Sequence, residues 1–277
     1  MATKINAGTA CLNIDQVGSG FPVIIFLHGI TANRRVWDPV VDSLSHQFTC
    51  ITVDQRGHGL SDRPPTGYGA AEYSDDILHI ARQLSPAAGL YLVGHSLGAR
   101  NAIVAAWKSP AVIRGVVALD FVPFIEPEVF DSLESRVLEG DRTFSSRAEI
   151  HEYLQGRYLN LPPDAISRRA EFGYAEERPG VFVPLADARA MAETVRGLRE
   201  DLEPFLAGVT VPTVIVRGEQ SLLVSPEAFG KAQELNPRVA SAVIPGVDHY
   251  IPEEAPEAIG QLIESFATNR PLAPPLI

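Results

Sequence analysis

Residues 94–98 read Gly-His-Ser-Leu-Gly. A serine between two glycines, after an apolar strand and before a helix, is the setting of an acyl-transfer nucleophile. The turn is too tight for side chains at its flanks, and it lifts the Ser96 hydroxyl clear of the strand. It also aims the Leu97 backbone N–H at an oxyanion forming beside Ser96. A second donor is required, and Ile30, in His28-Gly29-Ile30 directly after an apolar run, is placed to supply it. Serine needs a base as well. Of the seven histidines, only His249 follows the last strand-like segment. His28 and His58 read as structural, and His95 is expected to point away from its neighbour Ser96. His46, His79 and His151 fall in helical patterns. The imidazole in turn needs a carboxylate to fix its tautomer. Asp120, ending a β-branched run at 116–119, is the expected acid, with Glu219 as its rival.

These residues need a frame that brings them together. Strand-like segments at 11–17, 22–28, 48–53, 90–93 and 116–119 alternate with helical spacing at 34–46, 73–84 and 101–107. The pattern resumes with strands at 211–216 and 239–244, helices at 226–235 and 257–266, and a loose tail at 271–277. Such alternation predicts a doubly wound, mostly parallel twisted sheet with helices on both faces. Sheets of this kind carry their sites at the carboxyl ends of the strands. Between about 123 and 208 the sequence is charged and helical in period, without a buried strand. The expected organisation is a core at 1–122 and 209–277, interrupted by a helical cap at 123–208 inserted after Asp120. That stretch is too long for a simple connection.

Composition narrows the function. A net charge of -11 disfavours nucleic acid and anionic membrane surfaces as partners. No apolar run reaches membrane-spanning length, and residues 1–20 lack the pattern of a signal peptide. Cys11 and Cys50 are the two cysteines; neither a disulfide framework nor a zinc-type cluster is expected, and a cytoplasmic location fits. No metal or organic cofactor is implied. Oligomeric state is not legible, with a homodimer left open.

From 28–29 through 54–62, 94–98 and His249, the chain resembles the α/β-hydrolases. One departure from their usual pattern is informative. The acid commonly sits three residues after a Gly beyond the penultimate strand, where Gly218-Glu219-Gln220-Ser221 places a serine. The shift of the acid to Asp120, the run 94–101 and Gly156-Arg157-Tyr158 together resemble a narrower family, the (E)-2-(acetamidomethylene)succinate hydrolases of vitamin B6 degradation. That resemblance implies a dicarboxylate N-acetyl enamine as substrate. It also implies acetate, ammonia, carbon dioxide and succinate semialdehyde as products. Two cap arginines and a tyrosine would hold the carboxylates, and these fall on Arg136, Arg157 and Tyr158. The insertion holds ten of the twenty arginines and none of the three lysines, beside seventeen Asp and Glu. Guanidinium groups suit carboxylates, while Arg–Glu pairing on exposed helices accounts for many of them. Rival readings are a carboxylesterase, lactonase or C–C bond hydrolase on another small acid, and a ligand-binding receptor without turnover.

Overall fold

The computed structural model describes residues 3–84 and 89–271. The tail expected at 271–277 falls, apart from Pro271, outside them. Among the described residues ten strands are present: β1 (Thr3–Asn6), β2 (Cys11–Val17), β3 (Val23–Leu27), β4 (Thr49–Val53), β5 (Leu90–His95), β6 (Ile113–Leu119), β7 (Tyr174–Arg178), β8 (Val181–Pro184), β9 (Thr213–Gly218) and β10 (Ala240–Ile244). Eight of them form one sheet in the order β1-β2-β4-β3-β5-β6-β9-β10. All neighbours from β4 to β10 run parallel, and β1 and β2 join antiparallel at one edge.

The central strands are apolar on both faces because both are covered. In β3, Ile25 and Leu27 enter one core cluster while Ile24 and Phe26 enter the other, as alternation along a strand requires. Helices α1 (Asp38–Leu44), α2 (Ala70–Leu84) and α3 (Leu97–Lys108) follow β3, β4 and β5 respectively. Residues of α2 and α3 pack the first face, and residues of α1 the second.

After β6 come α4 (Pro127–Glu139), α5 (Arg147–Arg157), α6 (Pro163–Phe172), the β7–β8 hairpin, α7 (Ala188–Gly197) and α8 (Glu203–Gly208). The insertion has an apolar cluster of its own around Phe144, Ile150, Leu154, Tyr158 and Ile166. A further cluster joins it to the body, where Phe130, Val137, Met191 and Val195 meet Tyr73 and Leu97. Two expectations are corrected here. The insertion is not wholly helical, because β7 and β8 pair antiparallel across Pro179-Gly180. And α8 belongs to the body: Leu202, Leu206 and Val209 lie in the sheet's own core, so by packing the core resumes ahead of residue 209. The chain then closes with α9 (Pro226–Leu235), α10 (Ile251–Glu254) and α11 (Pro256–Ala267).

The chain leaves β3 for β4 on one side and reaches β5 on the other. This reversal opens a crevice at the carboxyl ends of β3 and β5. The loops beginning at His28, Ser96, Asp120, Glu219 and Pro245 all start at that end of the sheet. Among the described residues, no helix is long and apolar enough to cross a membrane.

Candidate active site

Ser96 stands between β5 and α3 with φ 52 and ψ -114, a conformation costly for any residue with a Cβ. The flanking glycines make it attainable. A Cβ on Gly94 would lie 2.2 Å from the Gly98 carbonyl oxygen, and one on Gly98 would lie 2.1 Å from that of Leu27. Ser96 N–H donates to the Leu119 carbonyl at 2.8 Å, which ties the turn to the end of β6. Leu97 opens α3, where first-turn N–H groups have no intrahelical acceptor. Gly29 lets the neighbouring loop come close, since a Cβ there would sit 2.9 Å from the His95 Nδ1. Ile30 and Ser96 line the same cavity.

Asp120 follows β6 directly, with φ 50, and is fully buried. Burial of a carboxylate is tolerable only when its oxygens are satisfied. Here Gly218 N–H donates to Oδ1 at 3.2 Å, while Ser221 Oγ at 2.5 Å and His249 Nδ1 at 2.8 Å donate to Oδ2. With Nδ1 donating to Asp120, the neutral imidazole has Nε2 as its basic nitrogen. Glu219, by contrast, is exposed and accepts the Gly246 N–H at 2.7 Å. Of the two candidate acids, the structure brings Asp120 to the histidine. Ser221 stands where the α/β-hydrolases usually carry their acid, and here its hydroxyl donates to Asp120. Ser96 and His249 wall one cavity. No hydrogen bond joins their side chains; in enzymes of this kind the contact commonly tightens when substrate binds.

Several supporting groups escaped the sequence reading. His95, expected to point away from Ser96, nevertheless belongs to the site. It lines the cavity, and its Nε2 donates to the His249 carbonyl at 2.7 Å with the two rings 4.7 Å apart. Burial, reinforced by His249, pushes its pKa well below the ordinary histidine value, so it stays neutral. Glu254 straps the same loop, accepting the Asp248 and Tyr250 N–H groups at 2.9 and 3.1 Å. His28 and His58, read as structural, are wholly buried and lie outside the walls of this cavity. Burial lowers them to about 4 and about 3, and both donate from Nδ1 to backbone carbonyls.

The cavity above Ser96 has a volume of about 340 Å³ and includes Ile30, Leu133, Arg136, Arg157, Tyr158 and Tyr250 in its walls. That is within the range for small-molecule sites. The chain is acidic overall, yet the cavity is edged by guanidinium groups. Among the described residues neither Arg136 nor Arg157 is ion-paired. Arg136 donates to the Tyr250 hydroxyl at 3.3 Å, and Arg157 to the Tyr153 hydroxyl at 2.9 Å and the Arg136 carbonyl at 2.6 Å. Burial would raise the Tyr158 pKa, but the Arg169 and Arg157 charges outweigh it and lower it. A smaller void of about 70 Å³, lined in part by Arg35, Tyr153 and Arg168, shares the Tyr158–Arg169 wall but reaches neither Ser96 nor His249. The larger cavity is therefore the candidate active site. No cluster of metal-binding side chains is found among the described residues.

A mostly parallel sheet with a Gly-His-Ser-Leu-Gly turn at its crossover point is the arrangement of a hydrolase class. The family model for the alpha/beta hydrolase fold matches residues 22–256, and the chain belongs to that family. Among its relatives is a 2-(acetamidomethylene)succinate hydrolase of Mesorhizobium japonicum, 48% identical over 266 residues, covering 96% of this chain and 95% of that one. The crystal structure of an E-2-(acetamidomethylene)succinate hydrolase superposes with a TM-score of 0.92 at 49% identity, covering 97% of this chain and 99% of the other. A soluble epoxide hydrolase of Corynebacterium sp. is 26% identical over 98% of this chain and 100% of its own.

Proposed function

We propose that this hydrolase cleaves the amide of an (E)-2-(acetamidomethylene)succinate-like N-acetyl enamine dicarboxylate, with Ser96 as nucleophile, His249 as base and Asp120 as acid. One observation carries the reading: the cavity that holds Ser96 and His249 is also walled by two arginines without carboxylate partners, Arg136 and Arg157, and by Tyr158. The two relatives named for this reaction, each nearly half identical along almost the whole chain, support it. An epoxide hydrolase would need an aspartate at position 96, where the sequence has serine.

Substrate enters with its carboxylates toward Arg136, Arg157 and Tyr158, which sets the acetyl carbonyl beside Ser96. Ser96 Oγ attacks the carbonyl carbon as His249 Nε2 takes its proton, and Asp120 stabilises the imidazolium through Nδ1. The Ile30 and Leu97 N–H groups hold the oxyanion, each donor contributing about 3 kcal/mol in comparable sites. His249 then protonates the departing nitrogen, and the C–N bond breaks to leave acetyl-Ser96. Conjugation of that nitrogen through the alkene to a carboxylate-bearing carbon spreads its electron pair, which makes it a better leaving group than a simple amine. Water, deprotonated by His249, releases acetate. The enamine product takes up water and loses ammonia and carbon dioxide to give succinate semialdehyde. The side chains assigned to these steps call for no cofactor. The two cysteines, both free thiols, agree with a cytoplasmic place of work.

Arg136→Ala and Arg157→Ala test the substrate class. A charged hydrogen bond of this kind contributes roughly 1.5–3 kcal/mol, so each variant should lose about ten- to a hundredfold in kcat/KM on the dicarboxylate. Arg157→Lys should recover little, because an ammonium lacks the planar two-point contact. Hydrolysis of p-nitrophenyl acetate, which has no carboxylate to hold, should fall far less. Equal losses on both substrates would mean that the arginines only hold the cap together.

A further inference from the structure

Helix α6 of the cap carries Arg169, whose guanidinium reaches Glu253 in α10, the turn that directly follows His249 and Tyr250. The side chains are 10% and 2% exposed. Nε donates to both carboxylate oxygens, at 3.0 and 3.1 Å, and Nη2 donates to Oε2 in a shorter contact. A pair this dry adds little net stability, because the cost of desolvating two charges offsets their attraction, and apolar residues of equal volume often do as well. Its consequence lies in what surrounds it. The guanidinium carbon sits 4.6 Å from the ring centre of Tyr158 and 5.3 Å from that of Tyr250. Those two rings meet edge to face at 5.1 Å, and Tyr250 lies 5.1 Å from the His249 ring. A cation against two aromatic rings favours one arrangement of both. A second cap residue, Asn160, reaches the same loop, donating to Asp248 at 3.1 Å.

We infer that the Arg169–Glu253 pair is a latch between cap and base loop that positions Tyr158 and Tyr250 for the substrate's carboxylates. Both members are positioning residues. Glu253 pairs with Arg169, so the guanidinium groups of this cavity without a carboxylate partner remain Arg136 and Arg157. The inference rests on the carboxylate-clamp reading of this cavity.

The decisive comparison is between stability and KM in a variant that removes both charges. Arg169→Met and Glu253→Gln singly leave one buried charge unpaired and should each lower Tm. The double variant Arg169→Met/Glu253→Met should regain most of the wild-type Tm. Its KM for (E)-2-(acetamidomethylene)succinate should nevertheless stay raised by roughly ten- to a hundredfold, with a smaller change in kcat. Its preference for that substrate over p-nitrophenyl acetate should drop to match. A double variant with both wild-type stability and wild-type KM overturns the latch. If the double variant does not fold, Arg169→Lys serves: it keeps the charge without the two-point pairing, and an unchanged KM there overturns the latch equally. Wild-type protein that cleaves the ester but not the dicarboxylate would overturn the clamp reading and the latch's role with it. An active wild type with an unaffected variant overturns the latch alone.

Discussion

Replacing Ser96 by alanine is expected to lower turnover of the dicarboxylate by about 10⁴-fold or more, with the fold and the affinity for substrate close to wild type. The size follows from what remains. Alanine accepts the same turn as readily as serine, so the Ile30 and Leu97 N–H groups and the arginine-walled cavity stay in place. What is lost is the oxygen that becomes acylated, and water held in its stead has neither its position nor its coupling to His249. Binding of the substrate to Ser96→Ala by calorimetry, alongside single-turnover kinetics, separates the two. Near-normal turnover in a folded Ser96→Ala protein would remove serine catalysis from the account.

Asp120→Asn should cost on the order of 10²–10⁴ in kcat. The amide keeps the shape of the carboxylate but places an NH₂ group among three donors, from Gly218, Ser221 and His249. At least one of these must then face a donor in a site closed to water, or the histidine must take the tautomer that turns its basic nitrogen from Ser96. Glu219→Gln should change kcat by less than about threefold, since its carboxylate is exposed and bound to the Gly246 N–H. Steady-state kinetics on both variants, with circular dichroism to establish folding, gives the ranking. The reverse order would move the acid to Glu219.

Most of the sheet was legible because its strands are short apolar runs bounded by turn residues, a pattern that a doubly covered parallel sheet imposes. The misses have physical causes. Strand β1, Thr-Lys-Ile-Asn, is an exposed edge with one half-buried apolar side chain, so no alternation marks it. Strand β7 is largely solvent-facing and β8 is only four residues long with one buried side chain; Pro179-Gly180, with Gly180 at φ 72, was the available signal for their turn. Helix α3 begins at Leu97 rather than near 101, because the nucleophile turn leads into it without a spacer. In the site, Ser96 and His249 could be read from motif and position, while Asp120 required noticing that Ser221 fills the usual place. His95, Glu254 and Arg169 could not be read at all. His95 and Arg169 act through contacts 154 and 84 residues along the chain, at His249 and Glu253, which no local spacing encodes, while Glu254 accepts from Asp248 and Tyr250, six and four residues away, in a turn that no periodicity marks.

What the purified protein does with one compound tests the proposed reaction most directly. Incubated with (E)-2-(acetamidomethylene)succinate and no added metal or cofactor, it should release acetate and succinate semialdehyde in equal amounts. Its kcat/KM for that compound should exceed that for the dimethyl ester, which presents the same amide without the charges, by about a hundredfold or more, as loss of two charged contacts requires. Release of acetate from the diester at an equal or higher rate, or none from the dicarboxylate while simple esters are cleaved, would contradict it.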